Sequence, residues 1–203
     1  MILGDFSKEI AGHTLEYFDD EHIYLVDGIK MPSVTQILQT KFGKKYEHVS
    51  PAVLKKAAEA GNAVHDAIYS LCKTGEYTDL PEVKNFLFLQ KQYNFEVIDN
   101  EVPVVLFFND EPIAAGRLDI VLKNETGQLG GADIKRTSVL DKEHLAYQLN
   151  IYRIAYRQTY GIEWEFLKGL HLRENVRKYV DIPIDENLAW KLIHEWRQSN
   201  ESN

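Results

Sequence analysis

The residues best placed for chemistry lie in the stretch 116–135, which reads GRLDIVLKNETGQLGGADIK. Asp119 falls in one strand-like run, 117–122, and Asp133 lies at the end of another, 131–134. The polar segment 123–128 between them reads as a turn, so two carboxylates and Lys135 are expected at one place on a β-hairpin. Carboxylates held close repel unless a cation lies between them. An all-oxygen ligand pair suits a hard cation, Mg2+ or Mn2+, which also binds phosphate. Lys135, two residues past Asp133, falls on the same side of an extended strand, within reach of an attacking water or a phosphate. A divalent cation neutralises charge on a phosphorus under attack, so Asp…Asp-x-Lys is the outline of a phosphodiesterase centre. Asp-x-Lys alone is equally at home on an ordinary charged surface hairpin, and its neighbours have to decide.

Those neighbours are Gly116-Arg117-Leu118-Asp119, Ala132-Asp133-Ile134-Lys135 and Gln148-Leu149-Asn150-Ile151-Tyr152, preceded by Gly61-Asn62-Ala63-Val64-His65. In this order they resemble the PD-(D/E)XK nuclease superfamily, in its RecB-like and phage-exonuclease branch. The earlier YLVDG at 24–28 and MPSVTQIL at 31–38 resemble the opening of phage and mitochondrial-maintenance exonucleases of that group. The likeness spans residues 24–160. It implies a metal-dependent deoxyribonuclease, with an exonuclease acting on DNA ends in recombination, repair or replication as the leading expectation. Its products would carry 5′-phosphate and 3′-hydroxyl ends. The resemblance further implies that Asp119 and Asp133 bind Mg2+ or Mn2+, with the Ile134 carbonyl as a third ligand. His65 would contribute from the metal or phosphate side. Glu101, on the preceding strand, is a further acid, or else a strand-edge carboxylate. Lys135 would orient or help deprotonate the water. Gln148 would orient the water or a phosphate, and Tyr152 would stack on or hydrogen-bond the substrate.

Several of these residues have a plainer reading. Arg117 shares a strand side with Asp119 and either holds a phosphate or pairs with an acid. Thr137 and Ser138 either donate hydrogen bonds to DNA phosphates or cap the next helix. Gln148 and Tyr152, one helical turn apart, serve equally as a loop partner and a core ring. A lone helical histidine is more often structural. Gly61, which costs about 1 kcal/mol against alanine in a helix, suggests a close approach one turn before His65 and favours the site reading.

At 203 residues, 44% hydrophobic and 27% charged, the chain has the composition of one soluble globular domain. Its single cysteine, Cys72, excludes an intrachain disulfide and a four-cysteine cluster within one chain. No apolar run approaches a membrane span and no secretory signal is evident at the start, so no membrane partner and a reducing cytoplasm are expected, that of the host if the source is viral. The net charge of −8 argues against a protein that coats nucleic acid. It leaves room for a nuclease whose acids a metal neutralises, with weak DNA binding in its absence. Expected partners are DNA with free ends, and a homo-oligomer or a recombination partner protein. Two other functions stand beside the exonuclease: a non-catalytic DNA-binding or assembly protein on the same fold, and a structure-selective endonuclease.

The elements that must position these residues follow from periodicity and punctuation. Residues 15–31 read as a small hairpin containing the strand 22–26, and Ser33 as the cap of a helix. The basic, aromatic loop 41–46 lies along DNA or is simply solvated. Ser50-Pro51 starts a helix to about Cys72, with Val53, Leu54, Ala57, Ala60, Val64, Ala67, Ile68 and Leu71 on its apolar side. A second helix, 81–94, leads to strands 95–108 and 113–122. Helix 141–160 ends at Gly161, and two strands, 164–172 and 178–184, precede a last helix, 186–197, capped by Asp185. The expected fold is α/β: a restriction-endonuclease-like mixed β-sheet flanked by helices, one domain over 1–203, with the hairpin and helix of 1–50 packed onto it.

Overall fold

The computed structural model describes residues 4–201, apart from the side chains of Lys44, Tyr46 and Glu201. Near the N-terminus, β1 (Phe6–Ile10), β2 (His13–Phe18), β3 (Ile23–Val26) and β4 (Ile29–Met31) form a four-stranded antiparallel meander. The Asp27-Gly28 turn takes positive φ at both residues, the geometry that matches strand twist in tight hairpins. The sheet is larger than the expected hairpin. Strand β1 shows solvent Ser7, Lys8 and Glu9, so it has no apolar alternation to announce it. His22, expected in a strand, instead turns the chain with φ +51°.

Next come α1 (Val34–Phe42), α2 (Pro51–Thr74) and α3 (Pro81–Tyr93). Ser33 and Gln36 close a reciprocal capping box on α1, which satisfies two otherwise orphaned backbone donors. Then follow β5 (Glu96–Phe108), β6 (Glu111–Lys123), β7 (Leu129–Lys135), α4 (Lys142–Tyr160), β8 (Phe166–Arg173), β9 (Val176–Ile182) and α5 (Glu186–Glu201). The strands lie in the order β5-β6-β7-β8-β9. Only β7 and β8 run parallel, and α4 is the crossover that parallel pairing requires.

Both faces of this mixed sheet are covered. Ile37 and Leu38 of α1, Leu149 and Ile154 of α4 and Leu192 of α5 pack against Val104, Leu106 and Leu118. On the other side Val64 and Ile68 of α2 and Val83, Phe86 and Leu89 of α3 cover Ile120, Leu122, Ile134 and Leu170. The small sheet joins through Leu15, Tyr17 and Val26 against Val105 and Ala115. The result is one compact α/β unit with helices on both sides of a mixed sheet.

Helix α2 departs from expectation in two ways. Val53, Leu54 and Ala57 were placed on its packed side, yet Val53 is 59% and Leu54 39% accessible, and full burial begins only at Val64. The helix overshoots the layer it packs on. Its first turns rest on the Ser50 side-chain cap and Pro51, and forgo the roughly 1.5–3 kcal/mol each that burying Val53 and Leu54 would contribute. Gly61 does not mark a close approach either, since a Cβ there would meet nothing within 4 Å.

Candidate metal centre

The centre forms midway along the pairing of β5 and β6, at a position where the backbone is distorted but the register is kept. Asn100 pairs with Ile120 and Val102 with Leu118, which leaves Glu101 and Asp119 opposite each other. Glu101 has φ +53°, a left-handed conformation that costs a side-chain-bearing residue about 1–2 kcal/mol. The sheet changes facing at this point. Leu118 belongs to the core under α1 and α4, whereas Ile120, two residues on, belongs to the core under α2 and α3. Regular alternation would have kept both on one side. The distortion brings the Glu101 and Asp119 carboxylates to one spot.

His65 comes down on them from the packed half of α2. Its Nδ1 is 3.4 Å from Glu101 Oε1 and 3.6 Å from Asp119 Oδ1. The three residues each offer a ligand atom within 4.8 Å of the others. Asp119 Oδ2 accepts a hydrogen bond from the Ile134 backbone N–H at 2.7 Å, which ties the acid of β6 to β7. Asp133, 2% accessible, follows on β7. Its Oδ2 has Lys135 Nζ 2.6 Å away as counter-charge but no well-angled hydrogen bond. The alternation read from the sequence therefore holds for Asp133 and Lys135.

Burial raises the Asp119 carboxyl above the usual carboxylate range, against the opposing charge of His65 and with a further push from Glu101. Burial likewise lifts Asp133 to about 6, with Lys135 opposing and Asp119 adding to the rise. At His65 burial works against the proton, but Asp119 and then Glu101 outweigh it and hold the imidazole up at about 9. A proton on His65 thus adds a positive charge between Glu101 and Asp119. A divalent cation fits the same place: one imidazole nitrogen and two carboxylate oxygens converge there, with the Asp133 carboxyl close enough to feel their charge. The two carboxylate oxygens suit hard divalent cations and the imidazole nitrogen suits first-row transition metals, so the donor set by itself selects no one metal.

The cluster opens into a cavity of about 180 Å3 whose walls include Thr35, Asn62, Asp66, Arg117 and Tyr152. The Tyr152 ring lies on Gly116, where a Cβ would come 3.0 Å from it, so any larger residue there would crowd the ring. Tyr152 is also 5% accessible and part of the core, so it lines the cavity and packs in the core at once. A larger hollow, about 690 Å3, lies between the β5–β6 turn and α5 and is lined by Phe107, Phe108, Trp190 and His194. No second set of three metal-ligating side chains occurs among the described residues.

The remaining expected residues lie as follows. Arg117 takes the acid-pairing option, with Nε 2.6 Å from Glu101 Oε2. Gln148 is buried with its Oε1 lacking a hydrogen-bond partner and does not line the cavity. The Thr137 hydroxyl donates to the Val139 carbonyl, and Ser138 is exposed on the same loop. That loop is held by residues the sequence did not single out. His171 Nε2 lies 2.7 Å from the Thr137 carbonyl, and because a carbonyl only accepts, this nitrogen carries the proton. Glu82, 3% accessible, holds Arg136 Nε at 2.7 Å. Asn62 and Asp66 were also missed, although Asn62 lies one helical turn before both His65 and Asp66 on α2, which puts it within reach of helical-face arithmetic.

No protein-family model matches the chain, and no curated protein matches it. Among solved structures, the crystal structure of SSO0001 is similar at 16% identity with a TM-score of 0.47, over 83% of this chain and 75% of that chain.

Proposed function

We propose that the protein is a divalent-metal-dependent deoxyribonuclease of the PD-(D/E)XK kind, hydrolysing DNA phosphodiester bonds from free ends. One observation carries the reading: His65, Glu101 and Asp119 converge beside the Asp133–Lys135 pair, and the Ile134 N–H links the two groups. Bound Mg2+ or Mn2+ would supply neutralisation of charge at the phosphate. His65, Glu101 and Asp119 would hold the cation, with Asp133 beside them. Lys135, protonated and paired with Asp133, cannot itself ligate. Its ammonium orients the attacking water and stabilises negative charge as it grows on the phosphate oxygens. Thr35, Asn62 and Tyr152 offer the cavity hydroxyl and amide groups for the phosphate or sugar.

The test is digestion of end-labelled linear DNA and covalently closed circular DNA with Mn2+, read as product length against time. Stepwise shortening of the linear substrate with intact circles is expected, and EDTA should stop it. Cleavage in excess chelator would overturn the metal reading. Cutting of the circles would make the protein an endonuclease, and binding of DNA without any cleavage a non-catalytic relative of the fold.

A further inference from the structure

We propose that Arg117 is the positioning residue of the metal centre: it grips one oxygen of Glu101 so that the other is presented to the cation. The inference rests on the metal reading above. Glu101 divides its carboxylate between two neighbours. Oε2 lies 2.6 Å from Arg117 Nε, while Oε1 faces His65 Nδ1 at 3.4 Å. The carboxylate is therefore turned about its own axis by the arginine, on a residue whose backbone is already left-handed.

Arg117 is itself held. Its guanidinium lies 5.1 Å over the ring of Tyr17. Tyr17 is buried, and its hydroxyl is fixed by Asp19 at 3.1 Å and His22 at 2.9 Å. A line of contacts thus runs from the small N-terminal sheet through Tyr17 and Arg117 to Glu101. Groups that orient a metal ligand typically set affinity by about 10–100-fold. The arginine also carries a positive charge, which by Coulomb repulsion opposes a cation nearby. The two effects have opposite signs, so they can be separated.

The contact runs through Nε, and this suggests the experiment. A glutamine side chain places its amide nitrogen the same number of bonds from the backbone as arginine's Nε, and methionine places a methyl there. Arg117→Gln and Arg117→Met both remove the charge and differ in the one nitrogen that can hold Glu101. Mg2+ and Mn2+ affinities are measured by calorimetry on the full chain without DNA. Arg117→Gln should keep near wild-type affinity, and Arg117→Met should bind about 10–100-fold more weakly, with Mg2+ losing more because it demands stricter ligand geometry. In a Glu101→Ala background the glutamine–methionine difference should vanish. Equal affinities for the two single variants, or a difference that survives without Glu101, would overturn the proposal while leaving the metal reading standing. A wild-type chain that binds neither cation overturns both. If Arg117→Met does not fold, Tyr17→Leu serves instead, since it keeps the arginine and removes the ring beneath it. Weaker cation binding is then expected, and unchanged affinity counts against the proposal.

Discussion

Asp133 and Lys135 stand on a strand that runs undisturbed, paired residue by residue with β8, whereas Glu101 and Asp119 face each other across β5 and β6 where Glu101 turns left-handed. Both regions deliver carboxylates to one electrostatically linked cluster by different means. The regular strand does it by alternation alone, at no conformational cost, but can only offer groups two residues apart on one side. The distorted position turns a side chain that alternation would have sent elsewhere, and accepts backbone strain at Glu101 to do so. On the function proposed above, the labour would be divided: the distorted pair would hold the cation and the regular pair would supply the ammonium that orients the attacking water.

The sharpest way to break that division is to remove one member from each side. Asp119→Ala should lose cation binding by calorimetry and, with it, all measurable cleavage. Lys135→Ala should keep cation binding yet lose at least about 100-fold in single-turnover cleavage, the range of general acid–base and electrostatic assistance. Wild-type cutting by Lys135→Ala would place the chemistry away from the regular strand.

The cation side should also respond to pH. His65 carries its proton up to about 9, and binding must release it. Affinity should therefore rise by up to about tenfold per pH unit until roughly pH 9, then level off. In the cation-free protein the same shift, from 6.5 to about 9, gives stability that is fully present below 6.5 and lost as pH rises through 9. Asp133, raised from 3.8 to about 6, has the same sign: its protonated form fits the fold better, so stability falls as pH climbs from 3.8 towards 6. Thermal melts with and without Mn2+ over this range should diverge increasingly as pH rises, and parallel curves would contradict the assignment.

The smallest effect tests the backbone itself. At Glu101, where φ is positive, the glycine variant should be more stable than the alanine variant by about 1 kcal/mol. At Asp133 the order should reverse by about 0.5–1 kcal/mol, because glycine weakens a regular strand. Chemical denaturation of the four variants gives both differences, and the same order at both positions would mean that the two regions are not built differently.

The same contrast explains what the sequence could disclose. Ser33, Ser50-Pro51 and Gly161 mark helix ends through local hydrogen bonding and local φ, and each stands where its chemistry predicts, whereas α4 is capped by Asp141 and not by Thr137 or Ser138. The Asp133–Lys135 contact follows from alternation, which is also local. The left-handed Glu101 has no such signature, because its conformation is imposed by the partner strand and by the layers on either side. Arg117's choice of an acid over a phosphate hangs on that same turn. On α2 the periodicity correctly identified an apolar side but could not reveal where the sheet beneath it ends, so Val53, Leu54 and Ala57 were assigned a core they do not reach. At Gly61 no protein atom makes the close approach that the glycine's cost in a helix suggested, since that cost does not require a neighbour to explain it.

The overshoot of α2 has a consequence for local opening. Residues 51–60 owe their helicity to the cap, to Pro51 and to a composition rich in alanine. Short helical stretches of this kind are marginal in water. Packing holds the stretch from Val64 onwards, and Gly61, the residue least able to propagate a helix, lies just before it. Backbone amides of one continuous helix should therefore exchange with solvent at very different rates, fast before Gly61 and slow after Val64. His65 then sits one residue inside the slow half, anchored against fraying that begins only a turn away.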